Sequence, residues 1–260
     1  MDWNRYFDLT DEKPLDKLVE GYSRTSVFRK IAFVGDSLSS GEFETRDAEG
    51  KPHYHDLYEY SWGQYLARKN GLCAYNFSRG GMTAKEYLES FAEARGFWDR
   101  DKAAQAYVIA LGVNDVLNRG TEIGCIEDID LGDPKKSKPT FIGNYAQIVL
   151  RYKAIVPDAK FFFVTIPRGT NAERNAKAAE MVPELYRLAE LVKSAYVIDL
   201  HRYAPIYDEA FKRRFFLHGH MNPDGYIFTA ELVDSYIDYI VRHNPDDFKN
   251  VGFVTTNIPY

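Results

Sequence analysis

Ile31-Ala32-Phe33-Val34-Gly35-Asp36-Ser37-Leu38-Ser39 is the stretch that decides the fold. Four consecutive apolar residues halted by a glycine read as a short strand covered on both faces, although period alone leaves a buried helix open. Gly35-Asp36-Ser37 then reads as a tight turn into a helix. The same grammar recurs in Cys73–Phe77, Ala106–Leu111, Phe161–Ile166 and Ala195–Leu200. Between these runs, apolar residues fall at helical spacing: Trp62-Tyr65-Leu66, Ala84-Tyr87-Leu88-Phe91 and Tyr145-Ile148-Val149-Tyr152. Ala178–Val192 is a further helical stretch that Pro183 is expected to kink or start. Asn222-Pro223 reads as N-cap and first helical position of the last helix, whose stripe is Tyr226, Ala230, Val233, Ile237 and Ile240. Strand–helix alternation at this spacing predicts right-handed βαβ units and a three-layer α/β/α domain.

The chain has 260 residues, 45% of them hydrophobic and 27% charged, which suits one large α/β domain with a core of its own. We expect an N-terminal extension over residues 1–29, the main domain over 30–245 and a tail over 246–260. Two insertions, about 42–60 and 118–139, depart from the minimal scheme. Loops of that length are usually functional or disordered. The tail is left open between an edge strand and a surface wrap.

Net charge is −5, so no basic excess exists to neutralise phosphates and nucleic-acid binding is not expected. Cys73 and Cys125 are the two cysteines, the first read as a core residue and the second as part of the polar insertion. They make neither a disulfide framework nor a zinc quartet. The start lacks a basic region followed by an apolar one, and the longest apolar stretch, Phe161–Ile166 with Thr165 inside it, is far too short to span a membrane. A soluble, cytoplasmic protein without a membrane partner is the expectation.

Ser37 sits where parallel α/β sheets bind ligands, just beyond a strand's carboxyl end. Taken alone, Gly-Asp-Ser more often marks a simple N-cap serine. A phosphate loop is not, because Glu42 follows Gly41 where that motif needs lysine. Three other segments reach strand ends or the final helix: Ser78-Arg79-Gly80-Gly81-Met82-Thr83, Gly112-Val113-Asn114-Asp115 and His218-Gly219-His220-Met221-Asn222. Glycines let a backbone amide approach a ligand, an asparagine amide suits an oxyanion, and a histidine supplies the base a serine needs.

With these motifs in this order, the sequence from Lys30 to His243 resembles the SGNH (GDSL-type) esterases and lipases. The resemblance implies a flavodoxin-like parallel sheet of about five strands and acyl-ester hydrolysis with no metal or organic cofactor. It implies Ser37 as nucleophile and His220 as base. The oxyanion hole would comprise the amides of Ser37 and Gly81 (Gly80 as the fallback) and the Asn114 side chain. One position departs from the family: the aspartate three residues before the histidine is Leu217 here, or Phe215 if counted from His218. A backbone carbonyl, a carboxylate from elsewhere or a weakened enzyme are the alternatives, and our expectation is a Ser–His pair with backbone support. Asp199 is the nearest carboxylate by position, more simply read as a cap of the following turn.

Asp36 and Asp115 are expected to support the loops by hydrogen bonding backbone. Arg168 and His218 are candidate substrate-binding residues, with a surface salt bridge and a loop role as their alternatives. The two His-X-His pairs, His53/His55 and His218/His220, lack the carboxylate spacing of a metal site, so no metal is expected. The substrate is read as a small-molecule or carbohydrate ester with a short acyl group, such as acetyl. The competing readings are a non-catalytic glycan- or ligand-binding protein on this scaffold and a phosphate binder of flavodoxin type. Oligomeric state is not legible.

Overall fold

The computed structural model describes residues 11–255. Five strands form one parallel sheet: β1 (Lys30–Gly35), β4 (Cys73–Ser78), β5 (Ala106–Ala110), β6 (Lys160–Val164) and β7 (Ala195–Ile198), in the spatial order β4-β1-β5-β6-β7. Between β1 and β4 the chain forms an antiparallel hairpin of β2 (Glu42–Arg46) and β3 (Pro52–Asp56). A two-residue pair, β8 (Phe216–Leu217) and β9 (His220–Met221), precedes the last helix.

Alternation within the central strands sends successive residues to opposite layers. Ala32, Val34, Tyr107, Ile109, Phe161 and Phe163 pack on one face, against the helices Phe141–Ile155 and Ala172–Val192. Ile31, Phe33, Val108 and Phe162 pack on the other, with the helices Trp62–Asn70 and Pro223–His243. This is the three-layer arrangement expected, with the flavodoxin-like strand order. The final helix begins as read: Asn222 accepts from the Gly225 amide at 2.9 Å, with Pro223 at the first position.

Several local expectations need correction. Cys73 is exposed, not a core residue, because it opens β4, which lies at the sheet edge. Pro183 does not start a helix: Asn171 caps one continuous helix, Ala172–Val192, that runs through it. The 42–60 insertion is ordered, as the β2–β3 hairpin and a short turn at Tyr58–Tyr60. The 118–139 segment is organised around buried Asp128, which accepts from Lys138 Nζ at 2.7 Å and from Thr140 Oγ1 at 3.1 Å.

Residues 11–29 lie along the last helix, where the Val19 amide donates to Ser235 Oγ at 2.9 Å, and Phe28 is 1% exposed in the core. Of the tail, Phe248 packs on Phe28 and Phe162, and the Gly252 carbonyl accepts from Arg29 and Gln105. The described tail thus wraps the surface; residues 256–260, like residues 1–10, lie outside the described residues.

Candidate active site

Register brings three loops to one height. Gly35 at the end of β1 pairs with Ser78 of β4 on one side and Ala110 of β5 on the other. The chain therefore leaves the sheet at the switch point of the strand order, where open α/β sheets bind ligands. Three of the segments singled out in the sequence, at Ser37, Gly80-Gly81 and Asn114, emerge there, and His220 reaches the same place from β9. All of them line one cleft of about 690 Å³.

Asp36 caps the short helix Ser37–Ser40, accepting from the Leu38 amide at 3.1 Å. It is 4% exposed, and burial, aided by Asp115 and opposed by the Leu38 amide, pushes its carboxyl up to about 7. Ser37 follows, half-buried, on the cleft wall. Asn114 lies in the turn Val113–Asn118, entered through Gly112 at φ 128°, a conformation that favours glycine. Its Nδ2 donates to Asp36 Oδ2 and to the Met82 carbonyl, both at 3.3 Å, while Asn118 Nδ2 donates to its Oδ1 at 2.8 Å. That last contact sets which end of the amide faces the other loops. Buried Asp115 accepts from the Ala84 amide at 2.9 Å, fixing the helix start after Gly80-Gly81; burial raises its carboxyl to about 6.

His220 presents the largest departure from expectation. The Glu44 carboxylate, and not a backbone carbonyl, faces its Nδ1, at 3.4 Å. On the other side of the ring, Nε2 meets Glu42 Oε1 at 3.0 Å. Both glutamates come from β2, where the two-residue period puts Glu42 and Glu44 on one face and Phe43 on the other, against Tyr60 and Tyr226. The Tyr226 hydroxyl donates to the Glu42 carbonyl at 2.6 Å and pins the root of the hairpin. Burial alone would lower the histidine's pKa; hydrogen bonds and charge from Glu42, then Glu44, outweigh it and hold the ring above the ordinary histidine range.

Gly80 shows why this loop carries glycine. A Cβ there would stand 2.1 Å from Glu42 Oε2, so the carboxylate occupies the space a side chain would fill. Tyr54, on β3, is 56% exposed at the cleft lip with its ring edge-on to His220 at 5.5 Å between centroids. His53 and His55 use other partners, Asp47 and Thr45, each at 3.0 Å. Among the described residues, no group of three or more His, Cys, Asp or Glu could hold a metal ion.

The remaining candidates lie elsewhere. Asp199 is buried at the end of β7, capping the turn through the Arg202 amide and bonded to Thr165 and Tyr186. It does not orient His220. Neither Arg168 nor His218 lines the cleft; Arg79 and Arg174 do. His218 is exposed at φ 51° in the turn between β8 and β9. Arg79, Arg174, Asp56 and both glutamates were given no site role from the sequence, where no local motif distinguishes them from solvated charges; Tyr54 was noted there only among aromatics that could stack on a sugar.

Residues 33–227 match the GDSL-like lipase/acylhydrolase family, a span that holds all four segments of the cleft. The chain belongs to that family. Membership supports ester hydrolysis as its reaction class. Among solved structures, a Lactobacillus plantarum protein aligns at TM-score 0.60 and 15% identity, over 81% of this chain and 97% of that one. A family two carbohydrate esterase from Clostridium thermocellum, in complex with cellohexaose, aligns at TM-score 0.54 and 16% identity, over 89% and 67%. A carbohydrate acetylesterase from Sinorhizobium meliloti aligns at TM-score 0.51 and 13% identity, over 82% and 99%. At these identities the likeness is one of fold. No curated protein sequence matches the chain at a significant level. No helix among the described residues is long and apolar enough to cross a membrane.

Proposed function

We propose that this family member is a serine esterase that removes a short acyl group, acetyl above all, from a carbohydrate or other small ester. The observation that carries the reading is the convergence of Ser37, Gly81, Asn114 and His220 on one cleft. In this reading the Ser37 hydroxyl attacks the ester carbonyl while His220 Nε2 takes its proton. The amides of Ser37 and Gly81 and Asn114 Nδ2 hold the negative oxygen. The same ring then protonates the departing alcohol, leaving an acyl-serine that water hydrolyses with His220 again as base.

Two features support a short acyl arm and a sugar-like alcohol. An apolar cavity of about 80 Å³ shares Asp36, Leu38 and Val113 with the cleft. A cavity of roughly 150 Å³ holds a benzene ring, so the smaller one suits two or three carbons and not eight. The cleft presents charged side chains, among them Glu42, Asp56, Arg79 and Arg174, and the exposed Tyr54 ring offers a face on which a sugar can stack. The carbohydrate esterases of similar fold add support of the same kind.

A panel of p-nitrophenyl esters tests the reading. Acetate is expected to turn over faster than octanoate, with activity and fluorophosphonate labelling both lost in Ser37→Ala. A preference for octanoate rejects the acyl assignment. A second reading, a binding protein without catalysis, is favoured by the Glu42 carboxylate on Nε2, the nitrogen the serine needs; it predicts no labelling of Ser37.

A further inference from the structure

We propose that Glu44 is the positioning acid of His220, delivered by the β2–β3 hairpin in place of the aspartate that the histidine's own loop lacks. The inference rests on the esterase reading and deepens it. A serine-directed imidazole must keep its proton on Nδ1, so that Nε2 offers a lone pair to the hydroxyl, and a carboxylate on Nδ1 achieves this. Leu217, three residues before His220, has no side-chain acceptor and is 41% exposed.

The groups facing the ring divide by position. Glu42 stands at Nε2, Tyr54 lies edge-on, and Asp36 acts only through its charge. Asp56 is engaged by the Ser40 hydroxyl at 2.6 Å. Among the described residues, Glu44 is the carboxylate at Nδ1.

Glu44 is held for the task. It is 5% exposed; its Oε1 accepts from Arg46 Nη2 at 2.9 Å and its Oε2 from the Gly219 amide at 2.9 Å. One oxygen therefore grips both the ring of His220 and the backbone just before it. A Cβ at Gly219 would come within 2.8 Å of that oxygen, so glycine is what lets the loop close on the carboxylate. Against its burial, the Gly219 amide, His220 and then Arg46 hold the carboxyl below the ordinary glutamate value, and the strand period that faces Glu44 inward faces Arg46 the same way.

The two glutamates oppose each other. With the ring charged, both carboxylates accept from it, and it cannot take a proton. With the ring neutral and its proton held by Glu44, the Nε2 lone pair repels the Glu42 carboxylate and favours the Ser37 hydroxyl in its place.

The test compares wild type, Ser37→Ala, Glu44→Gln and Glu44→Asp on p-nitrophenyl acetate across pH 5–9, with fluorophosphonate labelling and thermal melts alongside. Gln keeps an oxygen for the Gly219 amide, so Glu44→Gln separates charge from shape. The expected result is a kcat loss of about 10²–10⁴-fold in Glu44→Gln with KM changed less than threefold. Its acid limb should move to lower pH, and labelling should slow in parallel. Glu44→Asp is expected to recover at least tenfold of the lost kcat. Wild-type labelling with Glu44→Gln within threefold of wild-type kcat overturns the role of Glu44 while leaving the esterase reading intact. Absence of labelling in wild type, or hydrolysis undiminished in Ser37→Ala, overturns the esterase reading itself. A Glu44→Gln protein that has lost its cooperative melt moves the decision to Glu44→Asp, where loss of kcat without the acid-limb shift overturns the proposal.

Discussion

Asn114, on the turn after β5, donates its side-chain amide to Asp36, on the turn after β1, across 3.3 Å. The contact ties the loop bearing Ser37 to the loop bearing Asn114, and it is long enough to be exchanged for a stronger acceptor. An oxyanion poised beside Ser37 would be such an acceptor, because charge-assisted hydrogen bonds are shorter and stronger than this one.

Asn114→Ala should therefore lower kcat by about 10²–10³-fold, as loss of one oxyanion donor does, with KM little altered. Steady-state kinetics on p-nitrophenyl acetate checks this. Equal loss in kcat and kcat/KM marks an interaction made only in the transition state.

Asp36 carries a stability prediction. Its folded carboxyl titrates near 7, above the ordinary aspartate value, so between about pH 4 and 7 the folded state binds the proton more readily than the unfolded chain. Its contribution therefore falls as pH rises through that window. Asp36→Asn keeps an N-cap acceptor for Leu38 and removes the buried charge, and above pH 7 it is expected to be more stable than wild type by roughly 1–4 kcal/mol. Urea unfolding at pH 4 and pH 8 reads the difference, which should be small at the lower pH.

In the proposed mechanism, Glu42 sets where His220 becomes available as the base. Since Glu42 helps hold the His220 ring above the ordinary histidine range, the acid limb of kcat/KM in wild type is expected above about pH 6.5. Glu42→Gln should move it to lower pH. Because the folded ring's pKa is raised, its stabilising contribution is fully present below the unfolded value and is lost as pH rises through the folded one. Glu42→Gln should flatten that part of the stability profile. A limb that stays in place in the variant would show that Glu42 does not govern the titration.

Outside the cleft lining, the buried hydroxyls of Tyr87 and Tyr152 stand 2.6 Å apart, in the core cluster to which the Phe141–Ile155 helix contributes. Tyr87→Phe leaves the Tyr152 hydroxyl without this partner and is expected to destabilise the fold by about 1–3 kcal/mol. Esterase activity per folded molecule should be unaffected, which denaturant unfolding combined with active-site titration can show.

Much of this molecule was legible one segment at a time. Ile31–Val34, Ala106–Leu111 and Phe161–Val164 are apolar without interruption because the three-layer fold covers both sides of a central strand, and that requirement is written in consecutive residues. Cys73–Phe77 misled for the same reason read in reverse: edge position is a property of sheet order, and an apolar run does not declare it. Pro183 reads locally as a break, yet packing of Met181, Leu185 and Leu188 into the core carries the helix through it.

The family motifs at Ser37, Gly81, Asn114 and His220 were legible because each sits where a strand or helix begins or ends, and short-range spacing marks such places. What the chain alone determined is the alternating layer architecture, which follows from periodicity, and the four segments that meet at the cleft, which turn residues at strand ends and the family resemblance marked. The partner of His220 was decided only by tertiary structure. Glu44 lies 176 residues away, and its inward orientation depends on the hairpin's register, on Tyr226 holding its root and on Gly219 letting the carboxylate approach. Those are contacts between distant segments, and a carboxylate among the charged residues of a polar stretch has no local mark that distinguishes an ion partner from a solvated side chain.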